Sequence, residues 1–218
     1  MSQLTLPIGR GDFPAQLTIA RGAVLLRGCA LDVERELLAA IESVTTAAPF
    51  RHMITPGGQR MSVAMSSCGS LGWVSDRGGY RYDPIDPLTR VAWPAMPQVF
   101  LQLAQRAAAL AGFTGYEPDA CLINRYEPGT RLSLHQDRDE RDFSQPIVSV
   151  SLGIAAVFLF GGEKRNDRPL RVPLSHGDVV VWGGPARLRY HGVAPLAVEE
   201  HPLLGARRIN LTFRKAGG

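Results

Sequence analysis

His135 and Asp137 stand two residues apart at the end of the stretch Asn124-Arg-Tyr-Glu-Pro-Gly-Thr-Arg-Leu-Ser-Leu-His135-Gln-Asp137. If residues 131–135 form a strand that continues, side chains alternate, and the imidazole and the carboxylate point to one face. Two such ligands are two thirds of the 2-His-1-carboxylate arrangement that holds non-heme Fe(II). A second histidine must then come from elsewhere, and His52, His176, His191 and His201 are the candidates. His176 precedes Gly177-Asp178 and reads as a turn residue. His201 precedes Pro202 beside two glutamates and reads as part of a solvated loop, while His52 falls in a Gly- and Pro-broken region. His191, in Arg189-Tyr-His-Gly192 at the end of an apolar strand, is the best partner. Taken alone, the His-x-Asp pair also fits a charged solvated turn over residues 137–141.

A second constellation lies near the C-terminus. Residues 207–214 read Arg-Arg-Ile-Asn-Leu-Thr-Phe-Arg, so alternation sets Arg208, Asn210, Thr212 and Arg214 against Ile209, Leu211 and Phe213. The polar set could face water. Facing inward, the two arginines, about 20 Å apart along a strand, could clasp a short dicarboxylate end to end through charge-assisted hydrogen bonds. Asn124 and Tyr126, also two apart, would add neutral donors.

The elements that must position these residues follow from patterning. Residues 16–27 predict a β-hairpin around Arg21-Gly22. A helix is expected after Asp32 as N-cap, with Leu37, Leu38, Ile41 and Val44 at helical spacing and Pro49 closing it. Residues 50–93 are broken by glycines and prolines yet carry Met53, Met61, Met65, Trp73, Tyr80 and Tyr82, the composition of a binding lid or of irregular chain over a core. A second helix is expected over residues 97–110, with Gly112 at its C-terminal cap. Strands are expected at 120–126, 131–135, 147–152, 156–160, 170–173, 178–182, 188–190 and 207–214, a spacing that argues a sandwich rather than βαβ units. The fold class is therefore α+β, mostly β: a jelly-roll or cupin-like double-stranded β-helix at 118–216, two helices before it, and a lid at 50–93, within one domain over 1–218.

Composition bounds the rest. A chain of 218 residues with 45% hydrophobic and 20% charged residues fits one globular domain. The net charge of +4 leans only weakly toward a polyanionic partner. Cys29, Cys68 and Cys121 are far apart and odd in number, which suits reduced buried thiols more than a disulfide framework or a zinc site. No secretory signal pattern opens the chain, and the longest apolar stretch, residues 147–160, is too short for a bilayer span of roughly 20 residues. A soluble cytoplasmic protein is expected, with no membrane partner and a monomer by default. The first dozen residues carry little pattern.

Several motifs together resemble one family. They are the 124–137 stretch, Pro146-Ile-Val-Ser-Val-Ser-Leu-Gly153, Phe160-Gly-Gly-Glu-Lys-Arg-Asn-Asp167, His176-Gly-Asp-Val-Val-Val-Trp-Gly-Gly184, Tyr190-His-Gly192 and Arg208-Ile-Asn-Leu-Thr-Phe-Arg214. With Cys68-Gly-Ser-Leu-Gly-Trp73 and Pro84-Ile-Asp-Pro87, the chain from about residue 55 to 217 closely resembles the AlkB family of DNA-repair dioxygenases. The resemblance implies Fe(II) on His135, Asp137 and His191, with 2-oxoglutarate and O2 as cosubstrates. It implies that Arg208 and Arg214 bind the two carboxylates of 2-oxoglutarate, helped by Asn124, Tyr126 and Asn210, with Thr212 on the same strand face. Trp73, Tyr80 and Tyr82 match lid positions that contact a damaged nucleotide, and Asp139 and Arg165 match positions at the base and its surroundings. The implied reaction is oxidative dealkylation of bases such as N1-methyladenine and N3-methylcytosine in single- or double-stranded DNA, or in RNA. A hydroxylase of a protein or small molecule on the same fold is the alternative, because fold does not fix substrate.

Overall fold

The structure, a computed structural model, describes residues 15–217. The weakly patterned first dozen residues, and with them part of the expected single domain over 1–218, lie outside the described residues. Strand alternation builds two antiparallel sheets. The larger one contains β1 (Gln16–Ala20), β2 (Ala23–Leu26), β3 (Ala64–Gly69), β6 (Ala120–Tyr126), β8 (Ile147–Gly153), β11 (Val179–Trp182) and β13 (Arg208–Arg214). Their order is β1-β2-β11-β8-β13-β6-β3. The smaller sheet contains β7 (Leu132–His135), β9 (Ala156–Phe160), β10 (Leu170–Leu174) and β12 (His191–Val193), in the order β10-β9-β12-β7. β4 (Gly72–Asp76) and β5 (Gly79–Asp83) form a separate hairpin.

Both faces of the large sheet are covered, and the sequence pattern reflects it. Val24 and Leu26 of β2, Val148, Val150 and Leu152 of β8, Val179 and Val181 of β11, and Ile209, Leu211 and Phe213 of β13 share one core with the helices. Those helices are α1 (Glu34–Ala47), which buries Leu37, Ile41 and Val44, and α2 (Gln98–Leu110), which buries Phe100, Leu103, Ala104, Ala107 and Ala108. The alternate residues Ala23, Leu25, Ile147, Val180 and Trp182 meet Phe158 and Phe160 of the small sheet in a second core. The result is the expected jelly roll, with helices on its outer side.

α2 ends as its glycine foretells. Gly112 has φ +89°, its N–H bonds to Ala109 O at 3.0 Å, and the Phe113 N–H bonds to Ala108 O at 2.8 Å, a Schellman closure. At the other helix the structure differs from the expected cap. Leu31–Val33 form a 3₁₀ turn, the N-cap of α1 is Val33, and Asp32 has no capping hydrogen bond. Its carboxylate instead takes the Arg106 guanidinium of α2, with Nη2 2.8 Å from Oδ1. A charged partner brought by tertiary packing outcompetes a local N–H.

Two further expectations are corrected. Residues 64–69, placed in the loop-rich region, form β3 and pair along their whole length with β6. Their sequence Ala-Met-Ser-Ser-Cys-Gly lacks β-branched residues, and burial on both faces makes the strand instead. Residues 188–190 are not a strand. A 3₁₀ turn at Gly184–Ala186 continues through the Arg189 N–H to Ala186 O bond (3.0 Å), and pairing resumes only at His191. The apolar Leu188 that suggested a strand is 41% exposed.

Gly153 joins the fold to the site, since it ends β8 opposite Arg208. It has φ +93°, and a Cβ there would sit 2.2 Å from the carbonyl oxygen of Arg207. That carbonyl comes close because it accepts the Ile154 N–H at 3.1 Å. Gly153→Ala is expected to lower unfolding stability by about 1–3 kcal/mol. The measurement is the urea midpoint at constant m-value; an unchanged midpoint would show that the close approach is not needed.

Candidate metal centre and cosubstrate cavity

β7 and β12 pair so that His135 and His191 lie directly opposite each other, with ring centroids 4.4 Å apart. Each imidazole turns its Nδ1 onto a backbone carbonyl two residues earlier, His135 to Ser133 O at 2.9 Å and His191 to Arg189 O at 3.0 Å. A carbonyl can only accept, so both Nδ1 atoms carry the proton and both Nε2 lone pairs are free for a cation. Those Nε2 atoms face Asp137, at 3.4 Å from Oδ1 for His135 and 3.6 Å from Oδ2 for His191. Donor atoms of the three residues all lie within 4.8 Å of one another, and they are the single group of this kind among the described residues.

The charge states suit a cation. Burial, followed by the neighbouring His135, lowers the His191 pKa, with Asp137 only partly opposing, so the neutral ligand form is favoured. Burial would raise Asp137, but the Arg214 guanidinium and then the two imidazoles hold its carboxyl well below the usual range. Two imidazoles that turn their Nε2 atoms inward and a carboxylate between them form the donor set that suits Fe(II) with open positions.

The set opens onto a cavity of about 580 Å³ whose far wall is β13. Arg208, Asn210, Thr212 and Arg214 are all buried there, so the reading of this face as half-exposed does not hold. Arg214 stands at the metal end and donates from Nε and Nη2 to Asp137 Oδ2, at 2.8 and 2.6 Å. Arg208 stands six residues away along the strand. Its Nε and Nη2 donate to Ser151 Oγ at 3.0 and 2.8 Å, and its guanidinium lies 4.9 Å from the Tyr126 ring centroid. Three buried polar atoms around it have no hydrogen-bond partner among the described residues: Arg208 Nη1, Tyr126 Oη and Asn124 Oδ1. Such atoms are costly in a folded protein unless something satisfies them. The unmet Arg208 Nη1 and Tyr126 hydroxyl are donors at one end, and with a guanidinium beside the candidate metal set at the other they fit a short dianion such as 2-oxoglutarate. Asn124 Oδ1 can only accept, and its amide Nδ2 donates to Asn210 Oδ1 at 3.3 Å. Asn210 and Thr212 line the cavity but bond mainly within the protein, Asn210 Nδ2 to Ser149 Oγ at 2.8 Å and Thr212 Oγ1 to Asn210 Oδ1 at 2.9 Å.

The β4–β5 hairpin forms another wall. Trp73 and Tyr80 stack with centroids 5.6 Å apart, and the Trp73 indole donates to Asp139 Oδ2 at 2.9 Å. Tyr82, opposite Trp73 in the hairpin, donates from Oη to Glu140 Oε1 at 2.7 Å. Arg165 also reaches the cavity. The remaining histidines lie elsewhere. His176 accepts the Gly153 N–H at 2.9 Å and meets Glu34 at 2.8 Å. His201 lies in the exposed loop its neighbours suggest, but its own ring is half-buried and stacks on His176 at 4.3 Å. His52 Nδ1 lies 2.9 Å from Met61 O.

Sequence reasoning missed Glu140, Arg187, Ser149 and Ser151. Glu140 is hidden in the acidic run after Asp137, which looks like surface. Ser149 and Ser151 do alternate with the apolar residues of β8, and that pattern could have marked a polar inner face.

Residues 22–214 match the 2OG-Fe(II) oxygenase superfamily. The alpha-ketoglutarate-dependent dioxygenase AlkB of Escherichia coli is 58% identical over 204 residues, 94% of each chain. The AlkB homolog of Caulobacter vibrioides is 44% identical over 187 residues, 85% of this chain and 83% of that protein. The solved structure of OsALKBH1 superposes with a TM-score of 0.80 at 27% identity, covering 92% of this chain and all of that one. Fold and site together define an Fe(II)- and 2-oxoglutarate-dependent dioxygenase. Within that class, the chain belongs to the AlkB family.

If Arg208 holds a cosubstrate carboxylate, Arg208→Lys keeps the charge but loses the planar fork and the Tyr126 stack. Affinity for 2-oxoglutarate is expected to fall about tenfold or more, the scale of one charged hydrogen bond. Calorimetric titration of 2-oxoglutarate into the Mn(II)-loaded variant checks this, and an unchanged dissociation constant would remove Arg208 from the site.

Proposed function

We propose that this enzyme removes alkyl groups from damaged bases in nucleic acid, N1-methyladenine and N3-methylcytosine among them. The observation that carries the reading is the pairing of an iron-type donor set and a dianion cavity with a hairpin that offers stacked aromatic rings and a carboxylate at the cavity wall. In this reading His135, Asp137 and His191 hold Fe(II), and Arg208 and Arg214 with Asn124 and Tyr126 hold 2-oxoglutarate. Asn210 and Thr212 brace that wall from within β13. Fe(II) held by these residues would supply the O2-dependent oxidation that couples decarboxylation of 2-oxoglutarate to succinate and CO2 with hydroxylation of the N-alkyl carbon, a methyl group being lost as formaldehyde.

The chain's own residues supply recognition. A methyl on a base edge is out of reach in a stacked duplex, so the base must leave the stack. Trp73 and Tyr80 give it a flat surface, and N1-methyladenine and N3-methylcytosine, being cationic, gain from the π-faces and from Asp139 nearby. Tyr82 supports the hairpin from beneath. Arg165 at the cavity mouth suits a phosphate or the base's surroundings, a contact that carries no sequence information. Residues 50–93 serve as the recognition lid, with β3 as its root in the large sheet, and residues 118–216 as the catalytic core. A relative from the mouse, 33% identical over 123 residues, is named nucleic acid dioxygenase ALKBH1, which supports a nucleic-acid substrate. Every proposed site residue comes from one chain, so a monomer suffices. The cytoplasm, where a DNA or RNA substrate is at hand, is the proposed compartment. Among the described residues no helix is long and apolar enough to cross a membrane.

Formaldehyde release from oligonucleotides carrying N1-methyladenine or N3-methylcytosine, in the presence of Fe(II), ascorbate and 2-oxoglutarate, is the direct test. Iron-replete enzyme that releases none from either substrate would overturn the reading. Trp73→Ala is expected to weaken binding of a methylated single-stranded oligonucleotide about fivefold or more, because stacking on one aromatic ring is worth roughly 1–3 kcal/mol. Fluorescence anisotropy measures it, and equal affinity in the variant would rule out stacking on Trp73.

A further inference from the structure

Asp137 serves two partners that make opposite demands on it. As a member of the metal set it faces both imidazoles. As an ion-pair partner its Oδ2 accepts Nε and Nη2 of Arg214 at 2.8 and 2.6 Å, and this same oxygen lies 3.6 Å from His191 Nε2. A divalent cation among the three donors withdraws charge from that carboxylate and repels the guanidinium beside it. A buried guanidinium left without an anion is strongly unfavourable.

Among the described residues, Glu140 is the one other carboxylate within ion-pair distance of Arg214, with Oε1 3.3 Å from Nε. Its side chain is 2% exposed. It cannot swing away, because Arg187 grips it from behind with Nη2 3.1 Å from Oε2. Arg187 is itself pinned, donating from Nη1 to Asp137 O at 2.8 Å and from Nε to Gln145 O at 3.1 Å. Glu140 Oε1 also accepts the Tyr82 hydroxyl at 2.7 Å, so the same oxygen touches the cosubstrate strand and the recognition hairpin.

We propose that Glu140 is a positioning residue: it is the second seat of the Arg214 guanidinium, takes over from Asp137 when metal binds, and ties Tyr82 of the hairpin to that exchange. The proposal rests on His135, Asp137 and His191 being the metal set, and on nothing about the substrate. Its chemistry is one of charge balance. Asp137 and Glu140 offset Arg187 and Arg214, so the buried set is neutral before metal arrives. Without Glu140, the metal must enter a set that already carries an unpaired guanidinium. An anionic cosubstrate meets no such penalty.

Glu140→Gln keeps the shape and removes the charge. Co(II) titration followed by its visible absorption is expected to show affinity reduced about tenfold or more, since an opposite charge within ~4–6 Å shifts an ionic equilibrium by roughly 1–3 log units. Calorimetry on the Co(II)-saturated variant should find 2-oxoglutarate bound as tightly as in the wild type or more tightly. Unchanged Co(II) affinity overturns the proposal. So does a parallel loss of both affinities, which marks a merely damaged site. A measurement on the unaltered protein guards against a variant that does not fold: on adding Zn(II), the nuclear Overhauser contact from the Arg214 Nε–H to the γ-protons of Glu140 should strengthen and that to the β-protons of Asp137 should weaken. Contacts unchanged by Zn(II) also overturn it. Wild-type enzyme that binds Co(II) and 2-oxoglutarate as expected but releases no formaldehyde overturns the dealkylation reading and leaves this one standing.

Discussion

Charged groups buried inside a β-sandwich must find partners there, and this constraint governs the structure. β13 carries Arg208 and Arg214 on the face that looks between the sheets. Neither can reach bulk water. Arg208 is met by Ser151 of the neighbouring strand and by the Tyr126 ring, and Arg214 by Asp137 and Glu140. These partners come from three parts of the chain, so the arginines draw β6, β8 and the segment after β7 around one cavity. The apolar residues of the same strand form the opposite surface against the helices, and strand alternation lets one segment do both.

The metal set depends on the same sandwich in a different way. His135 and His191 are neighbours only because β7 and β12 pair in the register that puts them opposite. A slip of one residue would turn one imidazole to the other face of the sheet. The carbonyls of Ser133 and Arg189 then fix the ring tautomers. Backbone geometry, not a further side chain, prepares the two nitrogens.

Below the hairpin, the consecutive carboxylates Asp139 and Glu140 hold the cross-strand partners Trp73 and Tyr82. The proposed recognition hairpin and the proposed cosubstrate strand are therefore adjacent in structure although far apart in sequence. Arg187 closes this arrangement by bonding both the Asp137 backbone and the Glu140 side chain.

Much of this was legible in the residues alone. The alternation of 208–214 and the helical stripes of α1 and α2 are local periodicities, and local geometry translates them directly into faces. The His-x-Asp pair is not placed that way, because β7 ends at His135 and Asp137 meets the imidazoles from the irregular segment beyond it. The motifs that resemble the AlkB family pointed to His191 as the third member of the candidate metal set more firmly than its position in a strand could, and the structure brings it to His135 and Asp137. What only the tertiary structure decided is non-local. Asp32 went to Arg106 instead of a helix cap, β3 formed from residues without strand character because it pairs with β6 and buries Cys68 on one face and Met65 on the other, and His201 found His176. Glu140 and Arg187 gave no signal at all, since an acidic residue in a charged run and an arginine after a turn look alike whether solvated or buried. Periodicity reports which way a side chain points relative to its own backbone; which charge it meets depends on the packing of segments that sequence spacing does not relate.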